Sequence, residues 1–375
     1  MIKKKFLGIF LVAVLAVSTF VACGSSNDSS SQGTQSNNQE AGDTLHIAIG
    51  SDIVSMDAHR TSNDYLVPMN VFDTLFNIKK NDDGSTEIIN NLVDSYEISD
   101  DGLTYSFSLK DGIVFSDVTP LVASDVKFTF ERILTLPESA QTDFVIAIDG
   151  AEELLDGQVD SLKGITVEDD THFTISLAEP FTGFISQLAA PSTVIYSEEL
   201  VNEAGDAFGV APDKTIGTGP YVVKEWNRGS GLVFEYNELY WDEEPDAKRV
   251  EVQIMEPQAM NMAFQKGDID LIDCLYLDSA VIESTYKTDA YKDKMVSVDR
   301  MGINYFMLNE NIEPLNDVKV RKAIQMAIDR QSILNSIYSG DGKLEDGIYP
   351  TGCIGHSNDN QGWLSYDPEP AKALL

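Results

Sequence analysis

The chain has 375 residues, 43% hydrophobic and 23% charged, an ordinary globular balance with ample material for a core. Lys plus Arg number 26 against 61 Asp plus Glu, a formal charge of −35. So acidic a body repels phosphate backbones and anionic headgroups, which argues against nucleic-acid binding. The 4 histidines and 3 cysteines are scattered without ligand spacing, so neither a metal site nor a cofactor is expected.

Met1 to Lys5 carries three lysines, and Phe6 to Ala22 is an apolar run broken only by Gly8, Ser18 and Thr19. That is the layout of a secretory signal, and the hydrophilic Gly24-Ser25-Ser26-Asn27-Asp28 that follows does not suit a retained membrane anchor. The end of the run, Phe20-Val21-Ala22-Cys23, resembles the bacterial lipobox, although Phe20 stands where Leu is usual. The resemblance implies cleavage of residues 1–22 and a diacylglycerol on Cys23; a plain secreted protein with an incidental Cys23 is the alternative. Residues 23–43 are Ser, Asn, Gln and Gly with almost nothing apolar, and are expected to be a flexible tether with a reach of roughly 22–26 Å.

The body follows. Leu45–Ile49 reads as a first strand, and Tyr65–Phe76 has the spacing of a helix. Leu103, Tyr105, Phe107 and Leu109 alternate with Thr104, Ser106 and Ser108, the period of a half-buried strand entered through Asp100-Asp101-Gly102; Phe173, Ile175 and Leu177 repeat the pattern. Between them, Ala123–Leu134 gathers Val126, Phe130, Ile133 and Leu134 on one side of a helix. After the rigid turn Gly217-Thr218-Gly219-Pro220, Tyr221–Trp226 and Leu232–Tyr236 form a hairpin. A helix over Gln258–Lys266 stops at Gly267, and Ile269–Ile272 is a strand. Asn316 or Asp317 opens a helix through Ile328, and Asp329 caps another that Gly340 closes. Asp367-Pro368-Glu369 begins a further helix, yet the sequence stops about two turns later, so it is expected to be part of a longer protein.

No Gly-x-Ser-x-Gly, P-loop, Gly-x-Gly-x-x-Gly or His-Glu-x-x-His occurs, so the chain is not expected to be an enzyme. His46, His59, His172 and His356 read as surface residues. Cys274 and Cys353 read as a buried pair of small hydrophobes, with a disulfide between them as the alternative.

Several segments in order carry a family likeness: Leu92–Gly112, Phe115–Pro120, Ala123–Val126, Gly217–Tyr221, Tyr240-Trp241, Gly267–Asp270, Asp317–Ala323, Ala327–Arg330 and Tyr366–Pro368. Together they resemble the extracellular solute-binding proteins of peptide ABC importers, the oligopeptide-, dipeptide- and nickel-binding family, from about Thr44 onward. Val118 departs from the family's usual Gly and Val122 from a common capping Thr, so the turn and helix start there are expected to be less well formed.

The resemblance implies an α/β, periplasmic-binding-protein-like (type II) two-lobed fold with an additional inserted lobe and its C-terminal part missing. Lobe I would be 44–77 with 210–298, the inserted lobe 78–209, and a partial lobe III 299–375. It further implies capture of di- or oligopeptides outside the cell, delivery to the transmembrane subunits of an ABC permease by lobe closure, and a monomer held to the membrane through its N-terminal lipid. Arg60, Thr61, Ser62, Asn63 and Asp64 occupy the family's ligand-meeting loop, with Tyr276 and Tyr305 as further candidates that could equally be core aromatics. Gly217, Gly219 and Pro220 are the hinge candidates. A nickel chelate or oligosaccharide ligand, a secreted hydrolase, and a product that binds nothing are the alternatives.

Overall fold

A computed structural model of the chain describes residues 44–62, 64–81, 86–137, 139–297, 302–351, 353, 356–360 and 362–375. The signal, Cys23, the tether and Asn63 lie outside them. Contacts divide the chain into one compact unit ending at Asp273 and a second from Cys274 to Leu375.

The first unit holds two cores. Strand β1 (Thr44–Ile49) reaches from the start of the body into a five-stranded sheet whose other members come from far along the chain. It pairs in parallel with β10 (Arg249–Ile254) and with β11 (Leu271–Ile272), while β10, β9 (Gly231–Tyr236) and β8 (Tyr221–Asn227) run antiparallel. Parallel pairing requires a crossover, and the chain between β1 and β8 builds the second core on the way. Ile47, Val223, Leu232, Phe234, Val250 and Val252 bury one face of this sheet against Val71, Phe72, Tyr196 and Phe208.

That second core is an antiparallel sheet of β4 (Val93–Ile98), β5 (Thr104–Leu109), β7 (His172–Ser176) and β6 (Ile165–Val167). The period-two pattern decides which face is inside: Tyr105, Phe107, Leu109, Phe173 and Ile175 are buried, and Ser106 is exposed. The helix Ala123–Thr135 covers that face with Val126, Phe130, Ile133 and Leu134, all in the same cluster. A two-stranded ribbon, β2 (Phe76–Lys80) with β3 (Thr86–Asn90), leads into this sheet; β3 is exposed throughout, so no alternation marks it in the sequence.

The helix expected over Tyr65–Phe76 is cut to Pro68–Val71. A tertiary bond takes a carbonyl that helix needs, Val71 O accepting from Gly219 N at 2.8 Å, and Leu75 O past it turns to Asn91 N at 3.1 Å. Phe76 then opens β2 instead. The strand expected over Ile269–Ile272 forms only at Leu271–Ile272. In the second unit the helices Val318–Ala327, Arg330–Ile337 and Pro368–Leu374 stand where the caps put them, with Asp317 and Asp329 each accepting a backbone N–H. Residues 302–309 pair with no strand among the described residues. Cys274 and Cys353 are half-buried rather than buried and are not joined to one another.

Val118 closes a tight turn, with its N–H on Phe115 O at 3.0 Å, and does so at φ 75°, in the left-handed region. The turn therefore forms, at a cost of about 1–2 kcal/mol for a residue with a Cβ. Val122 offers no side-chain cap to the next helix, whose start is held from the other direction by Asp125 Oδ2 accepting Val122 N at 3.0 Å. Val118→Gly relieves the left-handed strain and loosens the unfolded chain, for a net gain of about 1 kcal/mol in urea unfolding; an unchanged or lowered midpoint contradicts this account of the turn.

Candidate functional site

The loop that carries Arg60–Asp64 is built over a buried acid. Asp57 is wholly buried and caps the short 3-10 turn Ala58–Arg60 by accepting His59 N at 3.0 Å. Its backbone packs on Gly209, where a Cβ would come within 2.6 Å of the Asp57 Cβ and where φ is +72°, so only glycine fits. From the helix Ala123–Thr135, Arg132 clamps both carboxylate oxygens, NH2 to Oδ2 at 2.6 Å and NH1 to Oδ1 at 3.2 Å. Tyr196 Oη donates to Oδ1 at 3.2 Å and accepts Ala58 N at 2.7 Å.

His59 is also fully buried, against the surface position expected of it. Arg132 NH1 lies 2.7 Å from His59 Nδ1. A guanidinium only donates, so Nδ1 accepts and the ring proton sits on Nε2, which finds no partner. Burial pushes His59 down to about 3, outweighing the Asp57 charge that favours protonation. Burial alone would raise Asp57, but the Arg132 hydrogen bonds and neighbouring positive charge hold it below the ordinary carboxylate range. The same burial, beside Asp57, holds Tyr196 well above its ordinary value and therefore protonated.

The rest of the loop is fastened from beneath. Gln141, buried, donates through Nε2 to Thr61 O and to Tyr65 Oη, and Tyr65 Oη meets Ser192 Oγ at 3.0 Å. Ala140 N donates to His59 O at 3.1 Å. Thr61 Oγ1 accepts Asp64 N at 3.0 Å, and Asp64 Oδ2 accepts Val54 N at 3.0 Å; burial raises the Asp64 carboxyl. Arg60 and Ser62 are exposed above this floor. Of the other candidates, Tyr276 ends a 3-10 turn half-buried and Tyr305 is 63% exposed; both belong to the second unit.

Gly217, Gly219 and Pro220 lie inside the first unit. A Cβ on Gly217 would meet Val71 O at 2.0 Å, Gly219 O accepts Asn237 Nδ2 at 2.9 Å, and Pro220 O accepts Asn237 N at 2.8 Å. Thr218 donates to Asp73 Oδ2 at 2.8 Å, which also accepts Trp241 Nε1 at 3.1 Å; Asn91 Nδ2 lies 3.4 Å from Oδ1. Among the described residues no cation pairs with Asp73, and burial pushes its carboxyl up despite those three donors. Asp73 borders a cavity of about 70 Å³ with Thr74, Asn77 and Asn91.

Asp57, Arg132, Gln141 and Tyr196 were not singled out in the sequence. Arg132 sits in the last turn of its helix, where a cation complements the helix dipole without any partner, so its position carried no distinguishing signal. No group of three or more His, Cys, Asp or Glu among the described residues could hold a metal ion.

A mixed sheet threaded from both ends of the first unit, with an antiparallel layer inserted in the crossover, is an α/β body of the periplasmic-binding-protein type. The profile of the bacterial extracellular solute-binding proteins, family 5 Middle, matches residues 87–375, and the chain belongs to that family. The Probable D,D-dipeptide-binding periplasmic protein of Escherichia coli strain K12 is 32% identical over 320 residues, covering 84% of this chain and 58% of that protein. Heme-binding protein A of Haemophilus influenzae is 30% identical over 329 residues, covering 81% of this chain and 56% of that protein. The structure of the Escherichia coli murein tripeptide binding protein is similar with a TM-score of 0.77 at 22% identity, covering 89% of this chain and 65% of that one. The chain thus spans 58% and 56% of the length of the two sequence relatives.

Removing one member of the buried pair leaves the other charge stranded, so Arg132→Met costs about 3–5 kcal/mol, and Asp57→Leu added to it recovers much of the loss. The pH dependence has a definite direction. The unfolded chain protonates His59 near its ordinary 6.5 and the folded one only near 3, so stability falls as pH is lowered across that window, by up to about 1.4 kcal/mol per unit. Asp57, with its folded value depressed, adds a further loss below the ordinary carboxylate range. Urea midpoints between pH 7 and 4 check this: the slope above pH 5 is shallower in His59→Gln, and an equal slope in both proteins contradicts it.

Proposed function

We propose that this chain is the solute-capturing component of an ABC importer, that its solute is a short peptide, and that a lipid on Cys23 holds it at the outer face of the membrane. Membership of the extracellular solute-binding family supports the capture role. The relatives described as D,D-dipeptide-binding and dipeptide-binding, at 32% and 29% identity, support the peptide.

The observation that carries the reading is the fastened loop. Thr61 is held at its carbonyl and its hydroxyl while Arg60 and Ser62 face solvent, so polar groups are presented on a backbone whose ordering cost is already met in the free protein. A peptide backbone is an alternating row of donors and acceptors and suits such a rim. Water fills the remaining space around its side chains, so one site tolerates many sequences. Closure over the guest by hinge motion then creates the form that the permease recognises. The bound molecule leaves unchanged: the buried His59 and the Asp57 carboxylate are sealed under the loop, out of reach of any substrate bond.

Calorimetry of the full chain against mixed di- and tripeptides gives heat, and at one hundred times Kd the peptide raises stability by about 2.7 kcal/mol. Silence with every peptide, alongside heat from heme, a sugar or a nickel chelate, overturns the choice of solute. For the anchor, radiolabelled palmitate fed to an expressing bacterium marks the native protein and not Cys23→Ala; equal labelling of both removes it.

A further inference from the structure

We infer that the outer edge of strand β4 is a docking edge for an extended, cationic segment of a partner polypeptide, which joins the antiparallel sheet as a further strand. The edge belongs to the layer inserted in the crossover, not to the sheet from which the loop at Arg60–Asp64 departs.

In the order β4-β5-β7-β6 the first strand is outermost, and among the described residues no strand pairs with its other side. Its backbone is set to receive one. Ser99 N donates to Thr104 O at 2.9 Å, which makes these two a hydrogen-bonded pair at the end of the β4–β5 ladder. Bonded and non-bonded pairs alternate along an antiparallel ladder, so Glu97 turns its backbone to Ser106, while the N–H and C=O of Tyr96 and Ile98 point to the open side. The register shift between Val93 and Ser95 lies before them and leaves Tyr96–Ile98 regular.

The side chains continue the sheet's own pattern to this edge. Phe173 and Phe107 stack with ring centroids 5.0 Å apart, Phe107 and Tyr96 with centroids 6.0 Å apart, and Phe76 meets Tyr96 edge-on at 5.2 Å. The row of rings ends in solvent: Tyr96 is 38% exposed, and Ile98, on the same face opposite Tyr105, is 48% exposed, so a neighbouring strand buries apolar surface on both. Charge selects that neighbour. Residues 94–101 hold Asp94, Glu97, Asp100 and Asp101 and no basic residue, and Asp94, Glu97 and Asp100 make no ion pair among the described residues. Lys79 of the adjoining ribbon is already paired with Glu87 at 3.0 Å. A second copy of the chain would set these acids against their own kind, which disfavours pairing, whereas an incoming strand with Lys or Arg on its outward side and apolar residues on the other answers both the acids and the exposed rings.

The test uses the full chain and the peptide acetyl-Lys-Val-Lys-Val-Lys-Val-amide, blocked at both ends, with the peptide carrying Glu in place of Lys as its control. In calorimetry the cationic peptide binds the native protein and the acidic one does not. Binding is at least about tenfold weaker in the double variant Asp94→Lys, Glu97→Lys, and is weakened too in Ile98→Lys, which keeps both acids and loses the apolar step. Hydrogen exchange followed by NMR shows the amides of Tyr96 and Ile98 slowed by the cationic peptide. The substituted side chains are exposed, and thermal melts confirm that each variant is folded. Equal binding by the native protein and the double variant, or slowed exchange at residues 60–64 in place of Tyr96 and Ile98, assigns the peptide to the solute site and overturns the docking edge. Failure of the cationic peptide to bind overturns it as well. Self-association of the native chain that slows the same two amides gives the edge to a second copy and overturns the cationic partner.

Discussion

A carboxylate buried without a partner costs several kcal/mol, and Asp57 is wholly buried. Its guanidinium partner, Arg132, stands 75 residues further along the chain on a helix of the other core, so forming the pair brings two layers of the first unit into one register. The turn 58–60, capped by Asp57, takes its position from that constraint, while Gln141 holds the carbonyl of Thr61. The aromatic rings of Tyr196 and Phe208 complete the enclosure, with the Arg132 guanidinium 5.4 and 5.3 Å from their centroids.

A second buried acid joins the same two layers by the opposite electrostatic means. Asp73 meets Thr218, Trp241 and Asn91, all neutral donors, whose bonds offset its desolvation only in part, and its carboxyl rises. Asp57 has a cation and falls. The paired, ionised Asp57 keeps Arg132 in place beneath the turn 58–60, whereas the neutral donors around Asp73 tie the Gly217–Pro220 connection to Val71 and Asn91 without adding charge to it.

Much of the architecture was legible because local patterns repeat short-range physics. Alternation of Tyr105, Phe107 and Leu109 with Ser and Thr names a strand and its inner face, and Asp317, Asp329 and Gly340 mark helix ends through bonds spanning only a few residues. The failures share a cause. The helix pattern at 65–76 was overruled by Gly219 N and Asn91 N arriving from distant segments, and β3 carried no alternation because neither of its faces is buried. His59 was misjudged as a surface residue because its partners, Asp57 apart, are Arg132 and Tyr196, far away in sequence.

Sequence alone determined that the body alternates strands and helices and that its charge repels polyanions, while the family resemblance drew attention to the loop at Arg60 to Asp64. The first two depend on composition or on residues a few positions apart. The tertiary structure decided how that loop is held. A buried ion pair is a property of two segments brought together and desolvated at once, and neither segment by itself records whether its charge will meet water or a partner.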